Sequence, residues 1–338
     1  MAELRPGIHR SRAMNHSIAY QSVFPSALET IASETAFGLL AELDNMAPFM
    51  AGRVRTWLTA QFGTATIGDL FSRAEAFPVM LFPWWLEVSI RDPDPALHRD
   101  ISTSTISGYL YIRLIDNLMD GDAPADVGLL PALGFFHSKF TEPYRRHFAA
   151  GHPFWTDILE LWVETADVTM QDHALQDIDR NTFERISARK TGAAKIPIAA
   201  VAHSLKRTDL LPDWYRLVDL FGCWHQMLND LFGWPRDLRH GAITYFLSEA
   251  SREKTSGETF EKWIAHEGFG WAIRELDRWM DELRELASRL RSQDLHQYLD
   301  RRRALLDEQA ARVRRGFQAL EDLGELVGRQ GRPGPAGD

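Results

Sequence analysis

YLYIRLIDNLMDGD, residues 109–122, decides how the rest of the chain is read. Asp116 and Asp120 stand four apart, which on an α-helix sets both carboxylates on one face with roughly 5–6 Å between their Cβ atoms. Leu110, Ile112, Leu114, Ile115, Leu118 and Met119 make the surrounding segment apolar. Like charges turned toward an apolar interior are costly unless they are paired or bind a cation. Hard carboxylate oxygens suit Mg²⁺, which takes one or two carboxylates and fills its octahedron with water and phosphate oxygens. A solvated helix face is the plain alternative for an Asp pair read alone. Asp122, just past the break at Gly121, is placed to add a ligand or to cap.

Outward from this segment, apolar residues recur at three- and four-residue spacing and alternating β-type runs are almost absent. The spacing predicts helices over 25–46, 50–62, 66–75, 101–121, 131–149, 153–177, 181–207, 212–233, 258–292 and 294–327, an all-α chain. Pro78 and Pro83 punctuate the apolar stretch between the third and fourth of these. RDPDPALHRD at 91–100 and GDAPADVG at 121–128 are the clearest breaks, and neither has the composition of a flexible linker. One helical domain is therefore expected over 21–327. A partly disordered segment, 1–20, precedes it, and a Gly- and Pro-rich disordered tail, 328–338, follows.

The 338 residues hold 47 acidic and 38 basic side chains, a formal charge of −9, which argues against a general affinity for nucleic acid or anionic membrane. The single cysteine, Cys223, excludes an internal disulfide and a Cys-rich zinc site. With no signal-peptide core and no apolar run long enough to span a bilayer, a cytoplasmic protein is expected.

HQMLNDLFGWPRDLRHG, residues 225–241, supplies a second acidic pattern. Asn229, Gly233 and Asp237 fall at i, i+4 and i+8 on one helical face. This segment resembles the second metal motif of class I terpene synthases, in which Asn, Ser or Thr, and Glu recur at this spacing with Asp after the Asn. DNLMD is similar to that family's aspartate-rich first motif, with Asn117 at its often acidic second position. Gly233 stands where the family has Ser or Thr, and Asp237 where it has Glu. Gln226 ahead of Asn229 and Asp230 resembles trans-prenyl diphosphate synthases. The resemblance covers roughly 75–318, and its specific part lies in the two acidic segments.

The resemblance implies the class I isoprenoid synthase (terpenoid synthase) helical bundle around a central apolar cavity. It implies Mg²⁺, three ions in all, held by Asp116, Asp120, Asn229 and Asp237. A diphosphate facing two acidic motifs also needs cationic side chains. ISARKTGAAKIP (186–197) brings Arg189, Lys190 and Lys195 next to Arg185, and resembles the diphosphate-sensing region, its Gly192–Ala194 run lying where the family places an effector break. Arg236 and Arg239 follow the second motif. VRRGF (313–317) resembles the family's Arg-Tyr pair without the Tyr, with Arg315 ahead of Arg314 as candidate. For any one of these cations a solvated or ion-paired surface role is an equal reading.

The chain carries 19 Phe, 11 Trp and 7 Tyr. Most serve core packing. Trp84, Trp85 and Tyr109 are the candidates for stabilising a carbocation through their ring faces. The expected catalytic set is Asp116, Asn229 and Arg236. Arg189, Lys190, Arg236, Arg239 and Arg315 are expected to bind substrate with the three aromatics. The resemblance then implies a lyase ionising a prenyl diphosphate, farnesyl or geranylgeranyl rather than geranyl, and leaves a homodimer open. Two alternatives stand beside it: a chain-elongating trans-prenyl diphosphate synthase, and a helical protein that binds isoprenoid diphosphates without turnover.

Overall fold

The structure, a computed structural model, describes residues 22–63, 66–121 and 125–330, with the side chains of 120, 320, 321 and 323–330 outside that description. Fourteen α-helices and short 3-10 or π turns make up its regular structure, and no strand occurs among the described residues. Residues 1–20 and 331–338, expected to be partly or wholly disordered, lie outside the described residues. The last helix runs through Gln330, past the expected start of the tail at 328.

Helix α1 (Ser26–Met46) is followed by α2 (Pro48–Phe62), α3 (Ile67–Ser72) and α4 (Leu81–Val88). Helix α3 is short but doubly capped: Thr66 Oγ1 accepts from the Asp69 N–H while the Asp69 carboxylate accepts from the Thr66 N–H. Helix α4 was not expected. Pro83 is tolerated because it falls in the first turn, where a backbone N–H has no helical partner to lose.

Helix α5 (Pro95–Asp120) absorbs residues 95–100 of the predicted loop 91–100. Asp94 is its N-cap, accepting from Ala96 N at 2.9 Å, and Pro95 occupies the first helical position, where its fixed φ is already helical. Gly121, at φ 70°, ends it in the left-handed conformation that glycine adopts without strain. Next come α6 (Leu130–Thr141), α7 (Phe154–His173), α8 (Arg180–Lys190) and α9 (Ile196–Ser204).

The expected helix 181–207 is thus two helices joined by a 3-10 turn, Gly192–Lys195. Two close approaches fix the break. A Cβ at Gly192 would meet Thr165 Oγ1 at 2.8 Å, and one at Gly222 would meet Thr191 Oγ1 at 2.5 Å. Helix α9 is wholly buried through Ala202 and packs against α4, α5, α7 and the next helix, α10 (Leu211–His240).

The predicted end of α10 near 233 is corrected by seven residues. Pro235 removes one helical hydrogen bond, a defect worth about 3 kcal/mol in a helix interior, yet the helix continues to Gly241. The bonds from Gly241 N and Ala242 N back to the last turn close the helix beyond it. Helix α11 (Tyr245–Glu253), also not expected, precedes α12 (Phe260–Trp263), α13 (Phe269–Leu290) and α14 (Gln293–Gln330). One contiguous core runs from Phe24 to Ala310. No helix among the described residues is long and apolar enough to cross a membrane.

Candidate functional site

Helix α5 buries Ile101, Ile106, Leu110 and Leu114 and turns Asn117 fully inward, where its Oδ1 accepts from Trp57 Nε1 at 3.1 Å. That rotation sets Asp116 at the edge of a cavity, half-buried and bonded to Arg113 Nη1 at 2.9 Å. Asn117 at the often acidic second position is therefore a core anchor for α2. Asp120 is the last residue of α5; its side chain and all of Asp122 lie outside the described residues.

Helix α10 buries Phe221, Trp224, Met227 and Leu231, and this packing turns Gln226, Asn229, Asp230, Gly233 and Asp237 toward the same cavity. Burial pushes the Asp230 carboxyl up to about 7. The Gln226 amide, bonded at 2.8 Å, opposes this; the Asp237 charge adds to it, and the Tyr245 backbone N–H and Lys190 also oppose it. Asp237 is buried and meets Arg236 Nε and Nη2 at 3.2 Å each, while Arg236 itself is largely exposed. The missing side chain at Gly233 matters spatially: a Cβ there would sit 3.2 Å from Asp237 Oδ2.

This polar cavity, about 910 Å³, takes Asp116 from α5, Asp172 from α7, Lys190 from α8, Arg236 and Arg239 from α10, and Arg302 from α14. Lys190 is bonded to Asp172 at 2.5 Å. Beside the cavity lies a chamber of about 520 Å³ lined largely by Phe62, Phe71, Phe77, Tyr109, Phe140 and Trp162. Glu75, Lys190 and His225 line both, so the two spaces meet at these residues. His225 is held neutral: burial, then the Arg302 charge, drives its pKa down to about 3.

The carboxylates lining the polar cavity are Glu75, Asp116, Asp172, Asp230 and Asp237, and the cations Lys190, Arg236, Arg239 and Arg302. An excess of acid does not hold a polyphosphate unaided. Hard oxygen donors on both walls are the set that Mg²⁺ accepts. Among the described residues no three His, Cys, Asp or Glu side chains converge on one point. The donor types fit such an ion, with each wall supplying one or two ligands and substrate or water the remainder.

Of the residues singled out from the sequence, Asp116, Asn229, Asp237, Lys190, Arg236 and Arg239 are brought to the polar cavity and Tyr109 to the chamber. Four are not. Arg189 points to Glu164 at 3.1 Å, because the α8 face carrying Lys190 inward carries its neighbour outward. Arg315 is exposed on α14 and lines neither cavity, and Arg314 lies over the Phe269 ring. Trp84 and Trp85 belong to the core: Trp84 packs on His98 and Trp85 on Phe82 and Tyr298. Arg185 and Lys195, neighbours of the expected set, bond Gln171 and Asp219. Glu75 and Arg302 were not anticipated. Neither sits in a periodic acidic or basic pattern, so spacing carried no signal for them.

No family model matches the chain, and no curated protein matches its sequence. Among solved structures, a geranylgeranyl pyrophosphate synthetase from the archaeon Geoglobus acetivorans superposes with a TM-score of 0.62 at 14% identity, covering 82% of this chain and 99% of that one. At that identity the likeness speaks for the fold. The chain therefore has the all-helical fold of the isoprenoid synthases.

Proposed function

We propose that the protein is a Mg²⁺-dependent class I terpene synthase, which ionises an allylic prenyl diphosphate and lets the carbocation cyclise or be quenched in the apolar chamber. The observation that carries this reading is the junction of the two spaces: an acid-lined polar cavity facing an aromatic chamber across Glu75, Lys190 and His225. Such a site matches a ligand with a charged head and a hydrocarbon tail. Asp116 on one wall and Asn229 with Asp237 on the other would hold Mg²⁺, which as a Lewis acid would stabilise charge on the diphosphate oxygens. Lys190, Arg236, Arg239 and Arg302 add positive charge around the head group. The chamber wall excludes water, so that ring closure competes with hydrolysis, and Tyr109 offers its ring face to the cation.

Chain elongation would need a second diphosphate beside the first. Among the described residues the chamber adds only Arg73 to the cations of the polar cavity, and Glu75 stands two residues away. This favours a single-diphosphate reaction. Substrates of fifteen or twenty carbons are the expected class.

Incubation with Mg²⁺ and ten-, fifteen- and twenty-carbon allylic diphosphates, with and without isopentenyl diphosphate, tests the proposal. Hydrocarbon or alcohol with released diphosphate supports it. A lengthened diphosphate assigns the protein to prenyl transfer, and binding without turnover assigns it to a carrier role.

A further inference from the structure

Glu75 is exposed at the junction of the two cavities. It lines both cavities, close to where a diphosphate head would lie, and makes no hydrogen bond or ion pair among the described residues. Its backbone is nevertheless held firmly. Arg302 Nη1 donates to the two carbonyls that flank it, Ala74 O at 2.6 Å and Ala76 O at 3.0 Å, and Tyr298 Oη donates to Ala76 O at 3.1 Å. Arg302 is 2% exposed and has no carboxylate within ion-pair reach among the described residues. It lies over the Phe221 and Trp224 rings and faces His225 Nδ1 at 3.4 Å. A buried guanidinium spent on two backbone oxygens fixes the irregular stretch between α3 and α4, the backbone that carries Glu75.

We infer that Glu75 is the proton acceptor that ends the carbocation reaction, and that Arg302 is the positioning residue that holds it at the junction. This rests on the proposed ionisation of an allylic diphosphate. In the terminating step a C–H bond next to the cationic carbon breaks, its electron pair becomes the second bond of the new alkene, and the proton passes to a Glu75 carboxylate oxygen. Water or the released diphosphate then takes that proton away.

The other groups facing the chamber are poor acceptors. Ser104, Thr105, Thr191 and Tyr109 present weakly basic hydroxyls, and Lys190 and Arg73 are cations. The Nδ1 lone pair of His225 is turned to Arg302, which leaves its proton on Nε2. Glu75 is the one carboxylate lining the chamber among the described residues.

The test reads the ratio of deprotonated alkene to hydroxylated product per diphosphate released, using the full chain with Mg²⁺ and a fifteen- or twenty-carbon allylic diphosphate. Glu75→Gln should lower that ratio at least ~10-fold, in line with loss of a positioned base, and Glu75→Asp should restore part of it. Arg302→Lys, which keeps the charge and loses the double clamp, should shift the ratio in the same direction. An unchanged ratio in Glu75→Gln overturns the inference and assigns the proton to the departing diphosphate. Wild-type protein that releases diphosphate but forms only alcohol also overturns it, with the ionisation reading intact. Absence of diphosphate release from every allylic substrate removes the reading beneath both.

Discussion

The two acidic stretches use the same residue types and reach one cavity, yet they differ in how far they are withdrawn from water. At the end of α5, Asp116 is half-exposed and already paired with Arg113. It lies in the last turns of its helix, where the macrodipole is negative and a cation is welcome. In α10, Asp230 and Asp237 are buried; Asp230 is bonded by Gln226 and the Tyr245 N–H, and Asp237, in the last turn of its helix, by Arg236. One wall is open and adjustable; the other is preorganised and withdrawn from water, so that ionising its carboxyls carries a desolvation cost. A divalent cation gains most from the second wall, because there it relieves a desolvation cost as well as coordinating.

The sharpest way to break this comparison is to remove one wall at a time. Asp116→Ala and Asn229→Ala should each lower Mg²⁺-dependent diphosphate release by ~10³-fold, the scale of losing a main electrostatic contact in a water-poor site, with circular dichroism unchanged. Full activity in both variants would falsify the assignment.

The buried wall makes a stability prediction with a definite sign. The Asp230 carboxyl is raised from 3.8 to about 7 by burial. The metal-free protein is therefore most favoured below pH ~4 with respect to this group, and that contribution is lost as pH rises through about 7. Asp230→Asn should stabilise metal-free protein at pH 8 by on the order of 4 kcal/mol and give nothing at pH 4, as followed by urea unfolding at both pH values. Mg²⁺ should narrow the gap between wild type and variant at pH 8.

The open wall has its own test. Asn117→Asp would place a carboxylate in a fully buried site facing Trp57, and should cost ~2–4 kcal/mol in unfolding free energy without tightening Mg²⁺ binding. A gain in Mg²⁺ affinity would show that α5 can rotate.

The smallest effect is expected at Gly233→Ser. Its Cβ would lie 3.2 Å from Asp237 Oδ2, a contact that a small turn of the carboxylate relieves. Its hydroxyl would add an oxygen near Asp237, so Mg²⁺ affinity measured by titration calorimetry should rise by only a few-fold.

Helical periodicity made the class of fold legible, along with most of the long helices. The missed elements have physical causes. Helix α4, LFPWWLEV, is buried on nearly all sides, so its residues show no apolar stripe to read, and its proline looks like a stop. Helix α11 spans nine residues, too few for a clear period. In α10, Pro235 imitates a terminus that packing overrides.

Within the site, the sequence by itself determined which carboxylates and amides share helical faces, since that follows from backbone geometry alone: Asp116 with its α5 neighbours, and Asn229 with Asp237. Only the tertiary structure decided which cations join them. Lys190 and Arg189 are adjacent in sequence, yet one enters the cavity and the other pairs with Glu164. Trp84 and Trp85 went to the core, while Glu75 and Arg302, far apart in the chain, both come to line the polar cavity. Periodicity fixes a side chain's direction about its own helix axis. Which neighbour that direction meets depends on how helices pack, through contacts such as those at Gly192 and Gly222 that no local pattern announces.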